Sequence, residues 1–222
     1  ELLSPADFNV KLTTITQSVI DIFKADFSRI WIIRPGDLCN SGCIHEDVKE
    51  EAHACHNREC CLHLVASSGR YTHVDGGHRR VPLGCYKIGK IASGHDSKFI
   101  VSDVINDPGV HDKTWAKQIG LTSFGGYRLM SKENEPIGVL AFFSKNTISP
   151  EEDAMLESLA GTTAQIIQVA TSEIQIRESE EKFAKAFQNS PLLMAITAPD
   201  NGTLIEVNET FVETLGYSRE EL

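Results

Sequence analysis

The chain has 222 residues, room for one domain of ordinary size and part of a second. Acidic residues outnumber basic ones by 31 to 21, a formal charge of −10. No segment gathers Lys and Arg into a phosphate-binding face, which argues against nucleic acid and against an anionic membrane surface as partners.

The opening, ELLSPADFNV, has neither the basic flank nor the apolar core of a signal peptide. No apolar run approaches the roughly 20 residues that span a bilayer. The chain begins without Met, so the expectation is a piece of a longer, cytoplasmic protein. Thiols stay reduced in that compartment, and clustered cysteines there point to metal or redox chemistry before disulfides.

Ser4-Pro5-Ala6-Asp7 offers an N-cap, a proline at the first helical position and an acid behind it. Leu12, Ile15, Val19 and Ile22 follow at three- and four-residue steps; so narrow a stripe predicts a helix paired with another helix. FSRIWIIRP is β-branched and aromatic up to Pro35-Gly36 and reads as a strand. A Cys-rich excursion over 37–61 has no clean period, and CLHLVASSG makes the second strand. Residues 69–80, rich in Gly, His and Arg, form a loop in this reading. YKIGKIASG is a short helix closed by Gly94. KFIVSDV, TSFGGYRLM and PIGVLAFFSK are further strands, with a short helix from Trp115 to Ile119. The fold class is α+β over residues 1–148.

Ser149-Pro150-Glu151-Glu152 repeats the cap-plus-proline formula, and a helical pattern then runs over 149–189. Met155, Thr162, Val169, Ile176 and Phe183 recur every seven residues, with Leu159 and Ile166 in the alternate row. A helix of about 40 residues is about 60 Å long and cannot bury its far end on one small domain. Its heptad row asks for a partner strand, most simply a second copy of itself; two shorter helices broken near Gly161 or Thr171-Ser172 are the alternative. Over 190–222, LLMAITAPDNGTLIEVN reads as a hairpin turning at Asp200-Asn201-Gly202. Asn208 caps a helix, and Ser218 opens another capping box. That is too little chain for an independent core, so a second domain is expected to be incomplete here.

Residues 181–222 resemble the opening of a PAS domain, at Phe187, Ser190-Pro191, Asp200 to Gly202, Asn208, Phe211, Gly216-Tyr217-Ser218 and Glu221-Leu222. Residues 1–148 resemble a GAF domain, best in Ile137 to Phe143, and more narrowly a Cys-rich subgroup from sensor histidine kinases, in CLHLVASSGRYTH, HRRVPLGCYKIGKIASG and SFGGYRLM. The resemblance implies an antiparallel sheet flanked by helices, a small-molecule pocket on one face, and a homodimer through the N-terminal and long C-terminal helices. The cyclic-nucleotide signature of some GAF domains is absent, as are the motifs that surround a bilin-bearing cysteine, although Cys55-His56 superficially matches such a pair. Haem on a single Cys or His stays open.

Five of six cysteines and four of eight histidines lie between residues 39 and 64. A tetrathiolate metal needs its sulfurs about 2.3 Å away and usually draws them as two close pairs. Cys39 with Cys43 and Cys55 with Cys61 are such pairs, and they are the positions that match the Cys-rich subgroup; Cys60 is extra. The C-x3-C and C-x5-C spacings suit zinc and also an iron–sulfur cluster. His45, His53, His56 or His63 could each replace a thiolate, and Arg58, Arg70, Arg79 and Arg80 could balance the charge. Unligated, partly buried thiols are the plainer reading. Cys85 is expected to be a small buried residue at a helix start, and His73, His78, His95 and His111 to be scattered over loops. No catalytic motif is present. The chain therefore reads as a sensory fragment of a histidine kinase. A dimerisation module with purely structural zinc and a redox-active cysteine protein are its rivals.

Overall fold

The computed structural model describes residues 5–46, 48, 54–94, 97–110 and 112–217. Ser4, His53, His95, His111 and the capping box at Ser218 lie outside them. Two compact units divide the chain, one up to Ala170 and the other from Thr171 onward.

The first unit is built on one antiparallel sheet. Its strands are β1 (Phe27–Pro35), β2 (Cys60–Gly69), β3 (Arg80–Pro82), β4 (Lys98–Val101), β5 (Ser123–Met130) and β6 (Pro136–Ser144), in the order β3-β2-β1-β6-β5-β4. All the strands read from the sequence are present, and β3 adds to them at the end of the loop expected over 69–80, since three residues carry no period of their own. The helices of this unit are α1 (Pro5–Phe23), α2 (Tyr86–Ser93), α3 (Lys113–Gln118) and the first part of α4 (Pro150–Gln188).

Alternation along the central strands sorts side chains to two faces. Ile30 and Ile32 of β1, with Tyr127 and Leu129 of β5 and Leu140 and Phe142 of β6, bury against Phe8, Leu12, Val19 and Phe23 of α1 and Leu156, Ala160 and Ile167 of α4. On the other face Phe27 and Trp31 of β1, Leu62 and Leu64 of β2, Phe124 of β5 and Val139 of β6 pack with Ile88 and Ile91 of α2 and Ala116 of α3. A bulge at Ile30/Trp31 in the β1–β2 pairing shifts β2 by one residue. It lets Leu62 and Leu64 share one face while Ala66 turns to the other. The glycine pair of SFGGYRLM has a packing reason: a Cβ on Gly125 would enter the Phe142 ring, and one on Gly126 would meet Ile91 of α2.

The α1 stripe is a correction. Leu12 and Val19 pack on the sheet, over β1 and β2, not on a partner helix, because an apolar sheet face needs a cover. Thr16 joins them through a 2.7 Å hydrogen bond with Ser68. Ile22 stays exposed.

Helix α4 runs unbroken through Gly161 and Thr171-Ser172. Its start is the capping box read from the sequence: Glu152 N–H donates to Ser149 Oγ, and Ser149 N–H donates to the Glu152 carboxylate. Its first turns belong to the first unit, because Leu156, Ala160, Ala164, Ile167 and Ala170 face the core. Met155, Val169, Ile176 and Phe183 are 51–56% exposed.

In the second unit β7 (Ala195–Thr197) pairs with β8 (Leu204–Val207), and α5 (Glu209–Leu215) follows. Buried Asn208 organises it. Its Oδ1 accepts from Phe211 N and Met194 N, while its Nδ2 donates to the Ser190 and Leu192 carbonyls.

Asp26 ties the α1–β1 turn to two strand ends. Its N–H donates to Phe143 O, its carbonyl accepts from Arg70 N, and its carboxylate takes two guanidinium bonds from Arg70 and faces Lys145. The Arg70 hydrogen bond holds this carboxyl below its ordinary value. A carboxyl lowered by folding stabilises fully above about pH 4, and that contribution disappears as pH falls through the lower folded value. Asp26→Asn is expected to lower the melting temperature by a few degrees at pH 7 and to flatten its fall on acidification; thermal melts from pH 7 to 3 test this.

Candidate functional site

A cavity of about 340 Å³ lies between the sheet and its short helices. Seven Phe, Tyr and Trp rings line it: Phe27, Trp31, Tyr71, Tyr86, Trp115, Phe124 and Phe143. They brace one another. Phe27 stacks on Phe143 at 4.8 Å and meets Tyr71 edge-on at 5.2 Å, and Trp115 Nε1–H donates to the Tyr71 hydroxyl at 2.9 Å. Trp31 Nε1–H is held by the His78 carbonyl at 3.0 Å. Rings so fixed give up little freedom when a ligand enters.

Three charged side chains share the lining. Lys87 of α2 pairs with Asp107 at 2.6 Å and lies over the Phe99 ring; burial first, partly offset by Asp107, lowers its pKa. Asp112 caps α3 by accepting from Trp115 N. Arg29, in the middle of β1, donates through Nε to Ser67 Oγ at 3.1 Å and lies over the Phe27 and Tyr71 rings. Its desolvation lowers its pKa.

None of these pocket residues was singled out by the sequence reading, although period-two aromatics on β1 carried the signal. His73 and His78 lie on the loop expected over 69–80, and both line the cavity, so the two share a surface; the loop meets the sheet where Trp31 Nε1–H reaches the His78 carbonyl.

Among its described residues the Cys-rich excursion is turns and bends over 37–46 and irregular chain over 54–59. All six cysteines are free thiols. Cys39, Cys43, Cys55 and Cys61 lie in one neighbourhood, close enough that Cys39 and Cys43 each disfavour ionisation of Cys55 and of Cys61. Three of these sulfurs are otherwise engaged: Cys39 Sγ lies 3.6 Å from Arg58 O, Cys55 Sγ 3.2 Å from Asn57 O, and Cys43 Sγ 3.5 Å from His45 Nδ1. Among the described residues no three His, Cys, Asp or Glu side chains are arranged to hold a metal ion.

Arginines brace this excursion. Arg58 donates to Asn40 Oδ1 and Glu46 O, Arg79 to Gly42 O, and Arg80 pairs with Asp37. Arg70, also expected here, is engaged with Asp26. His63 is buried, with Nε2 2.9 Å from Pro35 O, and burial lowers its pKa. His56 is exposed.

Two contacts join excursion and cavity. His45, wholly buried, lies 3.2 Å from the Tyr86 hydroxyl through Nε2, and Tyr86 lines the cavity. Cys85 donates to Ala54 O, so the start of α2 is fastened to the excursion's return. Tyr86 holds a left-handed φ of 52°, a strained state for an aromatic residue that its surroundings must impose.

An antiparallel sheet with long helices on one face and short helices over a braced cavity on the other defines an α+β domain. The chain belongs to the GAF domain family, whose sequence profile matches residues 7–167, and a PAS domain profile matches residues 181–222. A methyl sulfide methyltransferase-associated sensor of Methanosarcina acetivorans is 28% identical over 136 residues, 59% of this chain. The match covers 13% of that relative's length. Similar solved structures include the GAF domain of a phosphoenolpyruvate-protein phosphotransferase from Coxiella burnetii, with a TM-score of 0.55 and 18% identity over 75% of this chain and 85% of that one. A type II free methionine-R-sulfoxide reductase from Thermoplasma acidophilum has a TM-score of 0.52 and 18% identity over 72% of this chain and 92% of that one. At these identities the likeness is one of fold. GAF and PAS together make this a sensory signalling module. No helix among the described residues is long and apolar enough to cross a membrane.

Burial pushes the Cys61 thiol up to about 12 and raises that of Cys85. In metal-free protein at pH 8 these two are expected to be alkylated by iodoacetamide at least tenfold more slowly than Cys39 or Cys60, as read by peptide mass spectrometry.

Proposed function

We propose that this chain is the input segment of a cytoplasmic sensor histidine kinase, in which a small molecule in the aromatic cavity biases the packing of paired α4 helices. The observation that carries the reading is the seven-residue row Met155, Val169, Ile176 and Phe183, apolar and exposed along a helix whose opposite face is buried in the first unit. A row of that period is what two helices need to pair. A ligand that favours one of two pairings shifts the equilibrium toward it. Zonal sedimentation should show a dimer at micromolar concentration. Val169→Glu with Ile176→Glu should raise its dissociation constant at least tenfold, with the unfolding midpoint of the first unit nearly unchanged. Wild-type protein that stays monomeric at high concentration would end this reading.

The reading includes a zinc ion held by Cys39, Cys43, Cys55 and Cys61. What supports it is the kind of donor and their shared neighbourhood: Cys39 and Cys43 each disfavour ionisation of Cys55 and of Cys61, in an excursion with little buried apolar surface of its own. The thiols would have to close around the ion from an arrangement that does not by itself form a site among the described residues. Zinc would supply a redox-inert cross-link, and an iron–sulfur cluster is the second choice for the same donors. Because Tyr86 is bonded to His45, which lies against Cys43, order in the excursion would steady one cavity wall. Elemental analysis of anaerobically purified, colourless protein is expected to give about one zinc per chain. Cys39→Ser or Cys55→Ser should lose it, and chelation should lower the melting temperature. Colour with iron would select the cluster.

A purely structural dimerisation module is disfavoured by an aromatic cavity that its own side chains leave unfilled. A redox enzyme acting on a cavity ligand is disfavoured because none of the described lining residues is a cysteine.

A further inference from the structure

We infer that the cavity takes a flat aromatic molecule bearing one carboxylate, with the Arg29 guanidinium as the group that binds the acid. This rests on the reading of the cavity as a sensor's ligand site and names the class of ligand.

Arg29 is the unusual residue of the wall. It stands between Phe27 and Trp31 on β1, one of the two middle strands of the sheet, where its charge is partly desolvated. A charge in such a place is costly unless it is paired. Yet no carboxylate among the described residues lies within 4 Å of it, whereas Lys87 has Asp107. Nε is used by Ser67. The two terminal nitrogens make no hydrogen bond to any described residue, and the side chain lines the cavity. The guanidinium lies over two neighbouring rings, each centroid 5.5 Å from Cζ, which restricts the direction of the fork.

A planar fork with two donors matches a carboxylate. A phosphate carries more charge and would call for further donors, but the other cation of the wall is already neutralised by Asp107. The body of the ligand follows from the rings. Phe27, Trp31, Tyr71, Trp115 and Phe143 offer faces and edges to a flat molecule and little to a branched polar one. A volume of about 340 Å³ is near the small end of ligand cavities, which suits one ring or two fused rings with a short acid arm.

Both tryptophans of the chain, Trp31 and Trp115, line the cavity, so intrinsic fluorescence reports its occupancy. The probes are benzoate, 2-naphthoate and indole-3-acetate, each beside its neutral carboxamide, titrated by calorimetry and by tryptophan fluorescence. At least one acid is expected to bind at least tenfold more tightly than its amide. Arg29→Gln should bring that ratio to about one while the amide keeps its affinity, and Arg29→Lys, which keeps the charge without the fork, should fall between. Amides that bind wild type as well as the acids do, or a ratio unchanged in Arg29→Gln, would overturn the assignment while leaving the cavity a ligand site. Failure of all six probes to bind would also overturn it, and the sedimentation of the α4 variants would still judge the sensor reading. If Arg29→Gln does not fold, the wild-type ratio and Arg29→Lys decide.

Discussion

The rest of the first unit depends on the strict alternation of side chains along β1. Ile30 and Ile32 go one way, Phe27, Arg29 and Trp31 the other, and a one-residue slip would exchange the two sets. The aliphatic set needs helices laid flat upon it, and α1 with the start of α4 supplies them. The aromatic set meets smaller helices and a long loop, which bridge across it without filling it. One face is therefore a core and the other a cavity.

The Cys-rich excursion is physically different. Its contacts are hydrogen bonds from arginines to backbone carbonyls and a few buried groups such as His45 and Ala54. It nonetheless reaches the cavity, because α2 begins at Cys85 and Tyr86, whose side chains are bonded to Ala54 and His45. The same helix carries Tyr86, Lys87 and Ile88 into the cavity wall.

Helix α4 carries two rows. The row at Leu156, Ala160, Ala164 and Ile167 is mostly small and is buried in the core of the first unit. The heptad row carries larger side chains and stays exposed. A buried row on one side and an exposed row on the other are what the proposed transmission through α4 requires.

The elements were legible in the sequence wherever a local rule governs them. The Ser149–Glu152 capping box, the Asn208 cap and the strands around β1 and β6 follow from hydrogen-bond chemistry and period, which act over a few residues. The α1 stripe misled: Leu12 and Val19 are equally good for a helix partner or a sheet, and only the facing surface distinguishes them. The four thiols could be grouped by spacing, whereas the hydrogen bonds of three of them to Arg58, Asn57 and His45 could not. Arg29 looked like one more strand residue. Its isolation from carboxylates depends on Tyr71 and Ser67, about forty residues away in sequence, and so does the cavity that His73, His78 and Trp115 help to close. Sequence by itself determined which segments are helix and strand and which faces are apolar, since those depend on neighbours along the chain. The tertiary structure alone decided what each face meets, because burial and charge pairing are set by groups far apart in sequence and brought together only by the fold.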